Sequence, residues 1–339
     1  MSCRNLSRLA LLLCPALLAA GPRIELAWPT ANTAYLEGKP IDAYVQPTAS
    51  GEATSGLFGC ARSGGGQFHE GVDLKPISRD RRGEPTDDVF ATMAGVVRHV
   101  NLRAGESSYG RYVVLEHPDL KPAVYTLYAH LSAVEAGLKP GDKVERGQKI
   151  ATMGHSSGGY VIPRERAHLH YEIGLVATRQ FQSWYEWKKF GSPNEQGIYN
   201  GMNLMGVNPV DFFNEFRARR VDNFAEYFAR LPMVARVRIA TERVPDFVLR
   251  YPELLTEEVP AAGVAGWEIK VNATGLPFAW TPLRAADVIG LRANQVVIAD
   301  VDADALKRYR CKSIVERRRG ESRPGRDLET MLQLVFGLR

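Results

Sequence analysis

Ala167-His168-Leu169-His170-Tyr171-Glu172-Ile173-Gly174-Leu175 decides the fold class, because polar and large apolar side chains take turns along it. In a strand successive side chains leave on opposite faces, so His168, His170 and Glu172 project from one face while Leu169 and Tyr171 turn to a core. Short segments of the same kind recur upstream at Phe90 to Val100, Tyr112 to His117, Val124 to Leu131 and Lys149 to Met153, separated by turn residues such as Pro140-Gly141-Asp142 and Arg146-Gly147. Strands of about five to ten residues punctuated in this way predict a mainly β domain built on an antiparallel sheet.

Outward from that block the texture changes on both sides. Residues 21–66 are rich in Pro, Gly, Thr and Ala, end in Ser63-Gly64-Gly65-Gly66 and read as an extended lead-in and loop. Residues 176–207, with Trp184 and Trp187 in polar, glycine-rich surroundings, read as a loop inserted into a domain spanning 67–231. Asn208-Pro209 then opens a helix, since proline suits a first helical turn, and Phe212, Phe213, Phe216, Phe224, Tyr227 and Phe228 follow at roughly helical spacing. Residues 232–339 show strand-like runs at Val234 to Ala240, Trp267 to Asn272 and Gln295 to Asp300, with a last amphipathic stretch from Leu328 to Phe336. They predict an additional small C-terminal α+β domain, and no internal repeat is present.

The chain has 339 residues, 45% hydrophobic and 24% charged, a composition suited to one or two buried cores. Its formal charge of +5 is only mildly basic, and Arg4 and Arg8 supply two of those charges. These arginines precede the apolar run Leu9 to Leu13, and small Ala19 and Ala20 follow, so residues 1–20 read as a secretory signal peptide too short to span a bilayer. Leu11, Leu12 and Leu13 do not provide the small residue wanted before a lipidated Cys14, so export without a lipid, to the periplasm or the medium, is expected. Removing the signal also removes Cys3 and Cys14 and leaves Cys60 and Cys311 as a pair in an oxidising compartment, where they are expected to join. Such a bond closes a loop of about 250 residues, worth about 5 kcal/mol in the chain-entropy model.

Of the seven histidines, four fall into spaced arrangements: His69 with Asp73, His130 closing Tyr125-Thr126-Leu127-Tyr128-Ala129-His130, and His168-Leu169-His170. Neighbouring imidazoles on one strand face repel if both are protonated, and a metal on one of them removes the conflict while leaving its partner available for proton transfer. A hydrolytic zinc wants three protein ligands and an open fourth position, and His and Asp suit it. The segments Gln67-Phe68-His69-Glu70-Gly71-Val72-Asp73-Leu74, Tyr128-Ala129-His130-Leu131-Ser132 and His168-Leu169-His170-Tyr171-Glu172-Ile173 resemble, in order and separation, the signature segments of the lysostaphin and LytM type of zinc metalloendopeptidases, which are peptidoglycan hydrolases. The resemblance covers residues 57–176, with a weaker match at Asn208-Pro209. It implies one zinc per chain held by His69, Asp73 and His170, with His130 and His168 as catalytic histidines. It further implies a substrate among the stem peptides or cross-bridges of peptidoglycan. Glu172 is a candidate for orienting a ligand from behind. The sequence departs from the family at Val161-Ile162-Pro163-Arg164-Glu165-Arg166 and at the insert 176–207, both expected to border the substrate groove.

A rival reading is a catalytically silent relative that binds wall or activates another hydrolase, but every ligand position and both accessory histidines are filled here. A lipoyl-type or biotinyl-type carrier, suggested by Gly141 to Gly147 and the Met153-Gly154 that follows, fails because no lysine sits in the short hairpin where the prosthetic group would attach. Gly71 and the glycines upstream argue against a helix, so Glu70 reads as a solvent-facing residue rather than a general base. His99, His117 and His155 read as structural or loop residues, and Trp184 and Trp187 as loop packing with glycan stacking the alternative. Arg317-Arg318-Arg319 with Arg323 and Arg326 reads as a solvated hairpin, so no nucleic-acid partner is expected, nor any stable membrane insertion after signal removal.

Overall fold

The computed structural model describes residues 21–338, and the signal-peptide reading of 1–20 lies outside them. The lead-in is more than the extended loop its composition suggested. Trp28, Tyr35 and Tyr44 are buried, with Trp28 stacked on Tyr35 at 4.3 Å and meeting Phe213 edge-on at 5.1 Å. Three aromatic anchors bury ample apolar surface without any periodic pattern, which is why reading the period missed them. The segment then forms β1 (Gly59–Arg62), which returns through a glycine turn as β2 (Gln67–His69), with β3 (Val72–Leu74) following at once.

The stretch read as one strand over Phe90 to Val100 is two, β4 (Asp88–Phe90) and β5 (Gly95–Asn101). Next come β6 (Tyr112–Glu116), β7 (Tyr125–Ala129), β8 (Ala133–Val134), β9 (Lys143–Val144), β10 (Lys149–Thr152) and β11 (Leu169–Val176). The insert is not a bare loop. It carries helix α1 (Phe181–Lys188) and strand β12 (Leu204–Val207). The principal sheet is antiparallel and seven-stranded, in the order β12-β11-β7-β6-β5-β9, with β3 also on β11. One edge of β11 is thus shared, β3 pairing with residues 169–171 and β12 with residues 173–176. Val, Leu, Ile and Tyr dominate these strands, and every residue of β7 and β11 is buried.

Asn208 caps α2 (Pro209–Arg217), its side chain accepting from the Asp211 N–H, and Asn223 does the same for α3 (Phe224–Ala229). The C-terminal α+β domain follows as β13 (Ala235–Ile239), α4 (Asp246–Arg250), β14 (Gly266–Val271), β15 (Pro277–Leu283), β16 (Val296–Val301), α5 (Ala303–Arg308), β17 (Val315–Arg318), β18 (Glu321–Pro324) and α6 (Arg326–Phe336). Its sheet runs β15-β14-β13-β16, and Trp280 packs between Trp267 and Phe336 at 5.8 and 5.7 Å. The apolar core continues from the principal sheet through Phe212 and Phe224, stacked at 4.2 Å, into this second sheet. Cys60 on β1 and Cys311 form a disulfide, with their Cα atoms 5.5 Å apart. The arginines at 317–319 lie on the exposed β17–β18 hairpin.

Candidate metal centre

Register brings the candidate ligands together. Asp73 on β3 lies directly opposite His170 on β11, and His69 ends β2 with only Glu70 and Gly71 between it and β3. Gly71 makes this turn possible: a Cβ there would stand 2.3 Å from the Tyr171 carbonyl oxygen, so any side chain would push β3 off β11. The result is a buried trio. Asp73 Oδ1 is 3.0 Å from His69 Nε2 and 3.1 Å from His170 Nδ1, and the two nitrogens are 3.0 Å apart. Among the described residues this is the group of His, Cys, Asp or Glu side chains that converges as a metal site would. Donors around a tetrahedral ion at about 2.1 Å sit about 3.4 Å apart, so the trio accepts such an ion by widening a few tenths of an ångström.

The remaining ring nitrogens are committed elsewhere. His69 Nδ1–H donates to the Leu57 carbonyl at 2.9 Å, which leaves Nε2 as its free lone pair. His170 Nε2–H donates to Glu172 Oε1 at 2.9 Å, which leaves Nδ1 free. Glu172 is itself pinned: the hydroxyl of Tyr109 donates to Oε1 at 2.6 Å and that of Tyr125 to Oε2 at 2.8 Å. Burial and the Glu172 charge hold both phenols well above their ordinary range, so they remain donors. Arg62 Nη2 donates to Asp73 Oδ2 at 2.6 Å, leaving Oδ1 to face the imidazoles.

His130 and His168 stand beside the trio. His130 follows β7 in the left-handed region, with φ +62°, a conformation that strand residues avoid and that places its ring 4.9 Å from His168 and 5.8 Å from His170. Its Nδ1–H donates to the Ser156 carbonyl at 2.8 Å, and His168 Nδ1–H to the Arg166 carbonyl at 2.7 Å. Both Nε2 atoms are therefore bare, and that of His168 lies 3.5 Å from Asp73 Oδ1. Burial lowers the pKa of each, and for His130 the neighbouring imidazoles lower it further, so the pair is neutral at pH 7. His170 goes the other way. Burial opposes its charge, but the bonds to Asp73 and Glu172 prevail and push it up to about 9 in the metal-free site. Asp73 is held well below the usual carboxylate range: burial opposes this, but the surrounding imidazoles of His69, His168 and His170, which favour a negative charge at Asp73, outweigh it.

His69, Asp73, His170, His130, His168 and Glu172 thus share one cluster. His99, His117 and His155 stand apart, bonded to Gln196, to Ala94 and Thr126, and to Ile162 and Glu84. Glu70 is exposed, as expected. Arg62, Tyr109 and Tyr125 escaped the sequence reading. Tyr125 stood in a quoted segment, yet nothing in its spacing marks it as a partner of Glu172.

Residues 67–181 match the family model described as Peptidase family M23. No curated protein matches the chain. Among solved structures, the catalytic-domain mutant of the prophage-encoded M23 protein EnpA from Enterococcus faecalis is 24% identical, over 49% of this chain and 88% of that one, with a TM-score of 0.29. The catalytic domain of the antimicrobial peptidase lysostaphin from Staphylococcus simulans is 18% identical over 47% and 87%, with a TM-score of 0.27. A zinc-containing peptidase from Vibrio cholerae is 23% identical over 44% and 33%, with a TM-score of 0.24.

Proposed function

We propose, from the match of residues 67–181 to the model of peptidase family M23, that this chain is an exported zinc endopeptidase cutting peptide bonds in peptidoglycan stem peptides or cross-bridges. The observation that carries the reading is the convergence of His69 Nε2, Asp73 Oδ1 and His170 Nδ1 beside two neutral imidazoles with bare Nε2 atoms. Those three atoms would hold one zinc. When bound, zinc acts as a Lewis acid on the scissile carbonyl and makes water a nucleophile at neutral pH, lowering its pKa to about 7.

The protein's own groups then do the proton work. Glu172, Leu57 and Arg62 fix which atom of each ligand faces inward. Either His130 or His168 takes the proton of the attacking water through Nε2, and the N–H so formed donates to the developing oxyanion or returns the proton to the departing amine. Rigid Nδ1 anchors hold both rings in place for this exchange. Export is supported by the leader-like residues 1–20 and by the Cys60–Cys311 bond, which suits an oxidising compartment. Among the described residues no helix is long and apolar enough to cross a membrane.

The test is mass spectrometry of muropeptides released from purified sacculi by the zinc-loaded chain. Shortened stems or opened cross-bridges are expected, lost on chelation and restored by zinc. Release that a chelator leaves untouched would end the metal mechanism.

A further inference from the structure

A groove of about 790 Å³ lies between the sheet that carries the cluster and the C-terminal domain, a size that takes a short peptide. Phe68 and Glu70, the chain neighbours of His69, line one wall together with Tyr109, whose ring centroid is 5.6 Å from that of His170. The β5–β6 connection at 106–108, the insert and the C-terminal domain supply the rest, and three cations stand there: Lys188 on α1, Lys312 next to the disulfide, and Arg326 at the start of α6.

Three cations and three acidic side chains line this groove, and two of the acids are committed to other partners. Of its three acidic side chains, Glu106 pairs with Arg103 at 2.9 Å, Asp327 accepts from the Ser313 N–H at 2.7 Å while lying 3.8 Å from Lys312, and exposed Glu70 on the opposite wall has no ion-pair partner among the described residues. The Lys188 ammonium rests over the rings of Trp187 and Trp184 at 4.8 and 5.4 Å, and the Lys312 ammonium over Phe68 at 4.2 Å. Among the described residues neither Lys188 nor Arg326 has a carboxylate in ion-pair range, which leaves two unpaired cations in the groove against the single unpaired carboxylate of Glu70. The disulfide sets the position of one of these cations. Cys311 precedes Lys312, and Cys60 lies on β1, the partner strand of β2, which carries Phe68.

We infer that this groove binds an acidic stretch of the peptide substrate away from the cut bond, and that Lys188, Lys312 and Arg326 recognise its free carboxylates. The inference rests on the peptidase reading of the cluster and adds a substrate class to it. A charge-assisted bond to a carboxylate is worth about 1.5–3 kcal/mol, so losing one such contact changes affinity by about tenfold or more.

The experiment uses the full zinc-loaded chain and two synthetic wall peptides of one sequence, one with free carboxylates and one fully amidated. Binding is read by calorimetry and cleavage as separate KM and kcat. The chain should prefer the free-carboxylate peptide by about tenfold in both Kd and KM, and the preference should fade as salt is raised. K312M and R326Q should each raise Kd and KM for that peptide several-fold with kcat within about twofold, leave the amidated peptide unchanged, and be rescued at position 312 by K312R. R318Q removes an equal charge from the exposed hairpin outside the groove and should change nothing. Equal affinity for the two peptides, or an R318Q effect as large as that of R326Q, overturns the inference. A chain that cuts neither peptide counts against the catalytic reading instead, and the calorimetry still decides this one.

Discussion

A histidine offers two ring nitrogens, and in this cluster a fixed acceptor on one of them selects the other for chemistry. Leu57 selects Nε2 of His69 and Glu172 selects Nδ1 of His170, while carbonyls of Ser156 and Arg166 leave Nε2 bare on His130 and His168. On the proposed ligand set His170→Ala removes a ligand, and the variant should neither retain zinc by elemental analysis nor cleave peptide. His168→Ala should keep one zinc per chain and lose about 10²- to 10⁴-fold in kcat, the span of a general acid or base. Stoichiometric zinc in an active His170→Ala protein would refute the ligand set. Glu172→Gln keeps the size of the side chain but brings an NH₂ among three donors. Zinc affinity should fall about 10- to 100-fold in competition with a chelator, and an unchanged affinity would remove Glu172 from its orienting role. At this scale the sequence was legible where spacing carries meaning. His168, His170 and Glu172 share a face because a strand repeats every two residues. Arg62, Tyr109 and Tyr125 reach their partners through tertiary packing, which leaves no trace in spacing.

Strands with clean alternation were legible as elements, and the departures have local causes. The run Phe90 to Val100 breaks at 92–94, where the chain leaves β4, which pairs with β10 in a separate three-stranded sheet, and enters the principal sheet at Gly95; a Cβ there would lie 2.7 Å from both the Glu116 carbonyl oxygen and His117 Nδ1. β15 was missed because Pro277 and Pro282 stand in it, and proline speaks against a strand interior; it is tolerated because β15 is an edge of its sheet. The lead-in and α1 escaped for want of a sustained period. His117, at the end of β6, shows what such packing costs a titratable group. Its Nδ1–H donates to the Ala94 carbonyl, Nε2 accepts from the Thr126 hydroxyl, and burial lowers its pKa from 6.5 to about 4. Between these values the unfolded chain binds the proton and the folded chain does not. Stability from this residue is therefore complete above about pH 6.5 and declines as pH falls toward 4, by at most about 3 kcal/mol. Urea unfolding of the metal-free protein across that interval should show a clearly shallower pH dependence for His117→Gln than for the native chain. Parallel curves would mean that His117 is not the group responsible.

For the molecule as a whole, two cysteines settle more than any run of hydrophobic residues. Their pairing was legible because only Cys60 and Cys311 lie beyond residue 20, whereas how the C-terminal domain closes on the principal sheet was not, since it depends on shape rather than period. The bond joins positions 251 residues apart and ties β1, whose Arg62 holds Asp73, to the segment that carries Lys312. In the chain-entropy model a closure of that length removes enough freedom from the unfolded state to be worth about 5 kcal/mol. The apolar core that runs between the two sheets is untouched by removing the sulfurs, so the C60S/C311S protein should still fold. Its melting temperature should fall on the order of 10 °C below that of the oxidised native chain. The native chain with a reductant should melt where the double variant does, because both then lack the same constraint on the unfolded ensemble. If the oxidised protein and the double variant unfold at the same denaturant concentration, the bond contributes nothing to stability and the core alone holds the two parts together.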